Sequence, residues 1–155
     1  MSSHVTQIIS AIRSLQKKRY PNLLINQKNG YSISDDEAKS VAAGAGLQFI
    51  DFRDDILGTD KSIVLGAYTR TQFQGLLNYT ATQNSGIFLW NADTLITTWD
   101  VSAQKAFFRE FLLNGVNYGP STVIESRLAT SFELEEVHNG EIKVLNIDKI
   151  DLLEV

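Results

Sequence analysis

The sequence predicts an α/β fold, a three-layer sandwich with a mainly parallel sheet and a C-terminal β-hairpin. Short apolar runs bounded by turn residues alternate along the chain with segments of helical periodicity. The run from Ile87 to Trp90 has no polar alternation, as is typical of a strand covered on both faces. Asn139-Gly140 lies between alternating apolar and polar residues, which is a strong hairpin signal. At 155 residues, we expect one domain, 1–155.

The first predicted element is a leading helix over residues 1–20. Pro21 follows its last, basic turn. Cations at that end of a helix are favourable because the exposed carbonyls carry partial negative charge. Together with Lys28, the same turn is also a candidate nucleic-acid-binding set. The apolar face of the helix consists of Val5, Ile8, Ile9, Ile12 and Leu15, and the basic residues are Lys17, Lys18 and Arg19.

A strand, a helix and a second strand are predicted next. The run 23–25 suits a buried strand, and Ser34 with Glu37 forms a capping box that begins a helix ending near Gly44 or Gly46. Residues 47–52 form the second predicted strand. The apolar run 62–67 is compatible with either a strand or a packed loop.

The second half of the chain continues the alternation. Thr69 and Gln72 form another capping box, and the helix that they begin ends near 84–86. After the strand at 87–90, a helix rich in aromatic residues is capped by Asp100 or Ser102. Residues 121–126 are the next strand. The hairpin spans 131–147, with Phe132 and Leu134 opposite Ile142 and Val144.

Composition restricts the possible functions. The chain has no cysteine, two histidines and a net charge of −4. A disulfide framework, a thiolate nucleophile and a structural zinc site are therefore not expected, and we predict neither a cofactor nor a metal. No apolar stretch has the 18 or so residues of a membrane span. We therefore expect a soluble, cytoplasmic protein without a membrane partner.

The order of elements and the segment "IFLWNADTL" resemble a small P-loop ATPase of the AAA+ type over residues 22–130. The apolar strand "STVIES" resembles the sensor strand of that family, and the chain is also similar to the small P-loop protein of BREX phage-exclusion systems. The resemblance implies a nucleotide site formed by the loop after the first strand, the end of the "IFLW" strand and a residue beyond the sensor strand. The corresponding residues are Lys28, Asn29, Gly30, Ser32, Asn91, Asp93 and Arg127.

This sequence departs from the family at the residues that bind phosphate. An active loop reads GxxxxGK[ST], whereas this loop has one glycine, Gly30, followed by Tyr31. At the acidic pair, Asp93 comes one position late. Asp35 and Asp36 would also repel a phosphate about 7 Å away by roughly 2 kcal/mol in water. The sequence therefore predicts a degenerate loop that serves as a connection.

Two other arrangements suggest chemistry. Asp51, Asp54 or Asp55 could pair with Glu125 as magnesium ligands of a nuclease, although Arg127 replaces the lysine that such a motif requires. The segment "DFRDD" could by itself hold a cation, or it could be a solvated loop in which Arg53 pairs with an acid. The two tryptophans are either interface anchors or core residues; they are Trp90 and Trp99.

The leading hypothesis is a non-catalytic adaptor or assembly subunit with a protein partner or a second copy of itself, in a phage-defence or DNA-associated complex. An enzyme, either a nucleotide-binding ATPase or a metal-dependent nuclease, is the alternative. A nucleic-acid-binding accessory protein is a further alternative. The hairpin is the expected interface, unless its apolar residues close the sheet edge of their own domain.

Overall fold

The computed structural model describes residues 3–16, 22–27, 33–112, 121–132, 134, 137–138 and 141–147. Five strands form the main sheet, in the order β2-β3-β4-β1-β7, and every neighbouring pair is parallel. The predicted α/β fold with a mainly parallel sheet is confirmed. The strands are β1 (Asn22–Gln27), β2 (Gln48–Asp51), β3 (Ile87–Trp90), β4 (Thr122–Ser126) and β7 (Val144–Ile147).

Helices cover both faces of this sheet and enclose two cores. Alternate residues of β1 point to opposite faces, so Leu24 packs in one core and Leu23 in the other. The first core is rich in phenylalanine from α3 and α5, and the second contains the aliphatic faces of α1 and α2. The helices are α1 (Ser3–Gln16), α2 (Asp35–Ala45), α3 (Arg70–Asn84), α4 (Asp93–Ile96) and α5 (Val101–Leu112). None of the helices within the described ranges is long and apolar enough to cross a membrane.

Side-chain caps form at the helix N-termini that the sequence predicts. Both hydrogen bonds of the capping box form at Ser34–Glu37 of α2, and both form at Thr69–Gln72 of α3. Asp100 caps α5 by accepting a bond of 2.8 Å from the N–H of Ala103. Gly46 ends α2 with φ +73°, a conformation that glycine adopts without strain.

A C-terminal hairpin is confirmed, but its paired residues are 137–138 and 141–142 and not the whole predicted span 131–147, because the chain continues from it into the main sheet. Val137 pairs with Ile142 in the strands β5 (Val137–His138) and β6 (Glu141–Ile142), on either side of positions 139–140, which lie outside the described residues. Val144 belongs to β7, which pairs with β1, and it is 3% exposed. Val144 and Leu145 therefore close the sheet edge of their own domain, each packed against one of the two cores.

The structure corrects two other details of the prediction. Residues 62–67 are not a strand, because the carbonyl of Val64 accepts turn hydrogen bonds from nearby residues and no described strand pairs with this segment. They are not a packed loop either, since Val64 is 60% exposed. Phe132 does not begin the hairpin. It follows a 3₁₀ turn, Leu128–Ser131, and packs against the phenylalanine-rich core.

Candidate functional site

A cleft of about 350 Å³ opens at the C-terminal ends of β1, β2, β3 and β4. This is the edge at which α/β proteins with parallel sheets usually bind their ligands. A π-helix, Phe52–Leu57, directly follows β2, and the short helix α4 follows β3 after two residues. The lining residues are Gln27, Arg53, Trp90, Asn91, Asp93, Thr94, Glu125 and Arg127.

Glu125, at the end of β4, is a carboxyl group at the floor of this cleft and is only 6% exposed. Its Oε2 accepts a hydrogen bond from Nε2 of Gln27, and its Oε1 accepts one of 3.2 Å from the N–H of Asn91. These bonds connect β4 with β1 and with the end of β3.

Burial, and after it the negative charge of Asp93, raises the pKa of Glu125 from 4.5 to a net value of about 7. The bonds from Asn91 and Gln27 and the charge of Arg127 oppose this effect, because all three favour the ionised carboxylate. The group is therefore close to equal populations of its two protonation states near neutral pH.

Asn91 connects the central strands through an unusual backbone conformation. Its φ is +64°, a left-handed value that asparagine tolerates better than most residues. Its side chain donates a bond of 3.0 Å to Oδ1 of Asp51, while its N–H bonds to Glu125. This one residue therefore joins the ends of β2, β3 and β4.

Asp93 ties α4 to the end of β4. One carboxylate oxygen accepts from the hydroxyl of Ser126 at 2.6 Å, and the other accepts from the N–H of Arg127 at 2.8 Å. Both oxygens of Asp93 are thus already engaged in bonds within the fold.

Arg53 enters the cleft from the π-helix. Its Nε donates to Oγ1 of Thr94 at 2.7 Å, and its N–H donates to Oδ1 of Asp51 at 2.9 Å. The expected pairing of the Arg53 side chain with a neighbouring acid is therefore replaced by a bond to Thr94. A π-helical turn is frequently found beside functional sites.

At the N-terminal end of α2, side chains of β1 and of the capping box occupy three backbone N–H groups. Oε1 of Gln27 accepts from the N–H of Ile33 at 2.9 Å. The carboxylate of Glu37 accepts from Ser34 at 2.9 Å, and the hydroxyl of Ser34 accepts from Glu37 at 3.1 Å. These donors are consequently bonded within the protein.

The structure brings together Asn91, Asp93 and Arg127 of the proposed nucleotide set, and all three line the cleft. The other proposed positions lie outside the described residues: Lys28, Asn29, Gly30 and Ser32 of the loop, and Lys17, Lys18 and Arg19 of the basic turn. Gln27 and Thr94 also line the cleft, although neither was a predicted site residue. Their position shortly after an apolar run is the sequence feature that could have indicated them.

The nuclease geometry is wrong, because it requires its acids on adjacent strands. β3 lies between β2, which carries Asp51, and β4, which carries Glu125. Asn91 bonds to both acids from that intervening position. Across the described ranges, no group of three or more acidic or histidine side chains is placed to hold a metal ion.

Both tryptophans pack against other aromatic rings. Trp90, half-buried on the cleft wall, lies 6.4 Å from the ring of Phe88. Trp99 contacts Phe73 and Phe107 at 5.9 and 5.6 Å, and its Nε1 donates to the carbonyl of Tyr68 at 2.8 Å. Their positions agree with the alternative that they are packing residues.

Comparison of the chain with protein-family models, curated proteins and solved structures gives no match. The fold and the cleft define the class: an α/β protein with an all-parallel five-stranded sheet and a polar cleft at the strand ends.

Proposed function

We propose that this chain is a non-catalytic, cytoplasmic adaptor or assembly subunit built on a degenerate fold of the P-loop ATPase type. One observation carries the proposal. The polar groups at the strand ends, where an ATPase would hold phosphate and magnesium, are bonded to one another. Gln27, Glu125, Asn91 and Asp51 form one continuous chain of hydrogen bonds.

The hydrogen bonds and charges in the first turn of α2 are unfavourable for phosphate binding. A helix N-terminus binds phosphate through free N–H groups and a favourable dipole. Here Ser34 and Glu37 occupy each other's N–H groups, and Asp35 and Asp36 add negative charge beside them. The repulsion between these two acids and a phosphate, roughly 2 kcal/mol in water, exceeds the attraction of the helix dipole for a nearby anion. That attraction is about 0.3–1 kcal/mol.

The strand order supports the likeness to P-loop ATPases. In that comparison, β1 is the strand before the phosphate loop and β4 is the sensor strand. Here β1 pairs with β4 in parallel from Asn22 to Asn26, so the loop strand lies beside the strand that resembles the sensor strand.

Exposed apolar side chains support a protein partner. Val64, Leu65 and Val101 are 60%, 41% and 67% exposed. Val64 and Leu65 directly precede, in sequence, the first of the residues that form a second groove of about 390 Å³, which are 66–71, 98–100 and 103. Val101 lies between the last two of these stretches. Contiguous exposed apolar side chains are a feature of protein contact sites. The likeness to a phage-exclusion protein suggests, within this proposal, a phage-defence or DNA-associated complex.

A thermal melt with millimolar ATP and magnesium tests the non-catalytic part. We expect the midpoint of unfolding to stay unchanged. A ligand at 100 times its dissociation constant adds about 2.7 kcal/mol to the free energy of unfolding. A saturable rise of several degrees, together with phosphate release, contradicts the proposal.

Association in a lysate or with a second copy tests the adaptor part. The double substitution Val64→Ser, Leu65→Ser should weaken a specific association seen with the wild-type chain. Tyr79→Ser removes an exposed aromatic residue, 65% exposed, from α3 and is the matched control. Equal loss of association in both variants counts against a site at residues 64–65.

The second candidate is a nucleotide-binding ATPase, which is favoured by the meeting of Asn91, Asp93 and Arg127 in one cleft. The same melt separates it from the adaptor, because only the ATPase predicts a saturable shift. Asn91→Ala should abolish that shift if the cleft is responsible. The nucleic-acid alternative stays a prediction, as its four basic residues lie outside the described residues.

A further inference from the structure

Gln27 connects the buried carboxylate of Glu125 to the backbone just before α2. Its Nε2 donates to Oε2 of Glu125, and its Oε1 accepts from the N–H of Ile33 at 2.9 Å. Gln27 is 4% exposed and Ile33 is 2% exposed, so water does not readily replace either bond. One amide side chain thus transmits the state of Glu125 to the residue that precedes the N-cap of α2.

The direction of these bonds favours an ionised Glu125. The carboxylate accepts from Gln27 and from the N–H of Asn91, and both partners are donors. A proton on Oε2 would face the Nε2 donor of Gln27. Rotation of the Gln27 amide by 180° would turn Oε1 toward that proton, but it would also turn Nε2 toward the N–H of Ile33, which is itself a donor.

We propose that Glu125 is a proton-operated switch that determines whether the N–H of Ile33 stays bonded to Gln27. When Glu125 is ionised, the residue before α2 is attached to the end of β1. When Glu125 takes up one proton, the Gln27 amide rotates so that its Oε1 accepts a hydrogen bond from the protonated carboxyl. The bond between Gln27 and the N–H of Ile33 is then lost. The switch requires no ligand and is independent of the proposed adaptor function.

Burial, together with charged groups on the neighbouring elements, places the pKa of Glu125 near neutrality. Asp93 at the start of α4 favours the protonated form, and Arg127 after β4 favours the ionised form. The π-helix contributes Arg53, and β2 contributes Asp51 through Asn91. Beyond Ile33, α2 begins with the acids Asp35, Asp36 and Glu37, while β1 contributes the neutral Gln27.

NMR of the full chain between pH 5.5 and 8.5 tests the proposal. In wild type, the amide proton of Ile33 and the carboxyl carbon of Glu125 should titrate together with a midpoint of about 7. The Ile33 signal should move upfield on acidification, as expected when an N–H loses its acceptor. After correction for intrinsic exchange, its hydrogen exchange should accelerate by about three- to tenfold, the range that corresponds to one hydrogen bond.

Three variants make this result specific. Glu125→Gln is neutral at every pH, so the Ile33 amide should stay at its low-pH position, whereas a titration caused by another group would survive. Asp93→Asn removes the neighbouring negative charge and should move the midpoint to lower pH without abolishing it. Asp54→Asn removes an exposed carboxyl from the π-helix and should behave as wild type.

Two results overturn the proposal. If the Glu125 carbon titrates while Ile33 does not move, the proton has another acceptor, such as Asp93, and Gln27 is no relay. If the Glu125 carbon does not titrate between pH 5.5 and 8.5, Glu125 is not a switch in this range.

Discussion

At the scale of single residues, the strand-end cleft depends on Glu125 and Asn91. Each bonds to groups on two other elements, and each is in an unfavourable state: a buried carboxyl and a left-handed non-glycine backbone. Strain and perturbed ionisation of this kind are concentrated at functional sites. The cleft is therefore the part of the described structure in which we expect a functional site.

Glu125 should make the protein less stable as pH rises through neutrality. Its pKa is 4.5 in the unfolded chain and about 7 in the fold, so the native state binds the extra proton between those values. Its contribution is most favourable below pH 4.5 and falls by up to about 3 kcal/mol as pH rises to and beyond 7. Urea unfolding of wild type and Glu125→Gln at several pH values measures the difference.

In this experiment, the stability of the variant relative to wild type should increase from pH 5 to pH 8. Asp54→Asn, with its exposed carboxyl, should show no such trend. Parallel pH profiles for wild type and Glu125→Gln would show that the carboxyl is ionised throughout the range.

At the scale of elements, the capping boxes decide where α2 and α3 begin. Each satisfies two backbone donors that would otherwise have no partner within the helix. At α2 the same bonds also occupy the N–H groups that a phosphate would need. One local motif thus stabilises a helix and occupies backbone donors at its N-terminus.

Ser34→Ala should lower the free energy of unfolding by about 1 kcal/mol, the usual effect of losing an N-cap side chain. Thr69→Ala at α3 is the matched control for capping and should cost a similar amount. Chemical denaturation measures both. ATP binding that emerges in Ser34→Ala alone would mean that the capping box is what blocks the phosphate.

The interior strand β3 contributes more to stability than either cap. Phe88 lies on β3, is fully buried and stacks with Phe49 at 6.1 Å. Phe88→Ala should destabilise the protein by about 3–5 kcal/mol, because it leaves a cavity between the sheet and α2. Tyr79→Ala removes an exposed ring and is the control. A loss below 1 kcal/mol for Phe88→Ala would be inconsistent with its place in the core.

At the scale of the whole molecule, the C-terminal segment completes the sheet. β7 covers the free edge of β1, and Val144 packs in the phenylalanine-rich core. Without β7, the strand that carries Gln27 would become an exposed sheet edge. The stability of the whole domain therefore depends on residues far along the chain.

A chain ending at Thr130 should lose its cooperative melt, because β1 loses a paired neighbour and the core loses Val144. Circular dichroism during heating measures this. A chain ending at Ile147 retains all five strands of the sheet and is the control. A cooperative melt in the shorter chain would show that the sheet is stable without β7.

The sequence by itself determined the local elements of this protein, and the tertiary structure decided how they meet. Capping boxes and apolar runs act over a few residues, so α2, α3 and β3 were predictable from them. The position of β7 beside β1 was not, because strands joined by parallel pairing are far apart in sequence. The same applies to the cleft: Asn91, Asp93 and Arg127 came from a resemblance, but the bond of Asn91 to Glu125 and the bond of Arg127 to Asp93 depend on the order of the strands. The raised pKa of Glu125 also required the structure, since burial is a property of the packed sheet and not of a residue's neighbours in sequence.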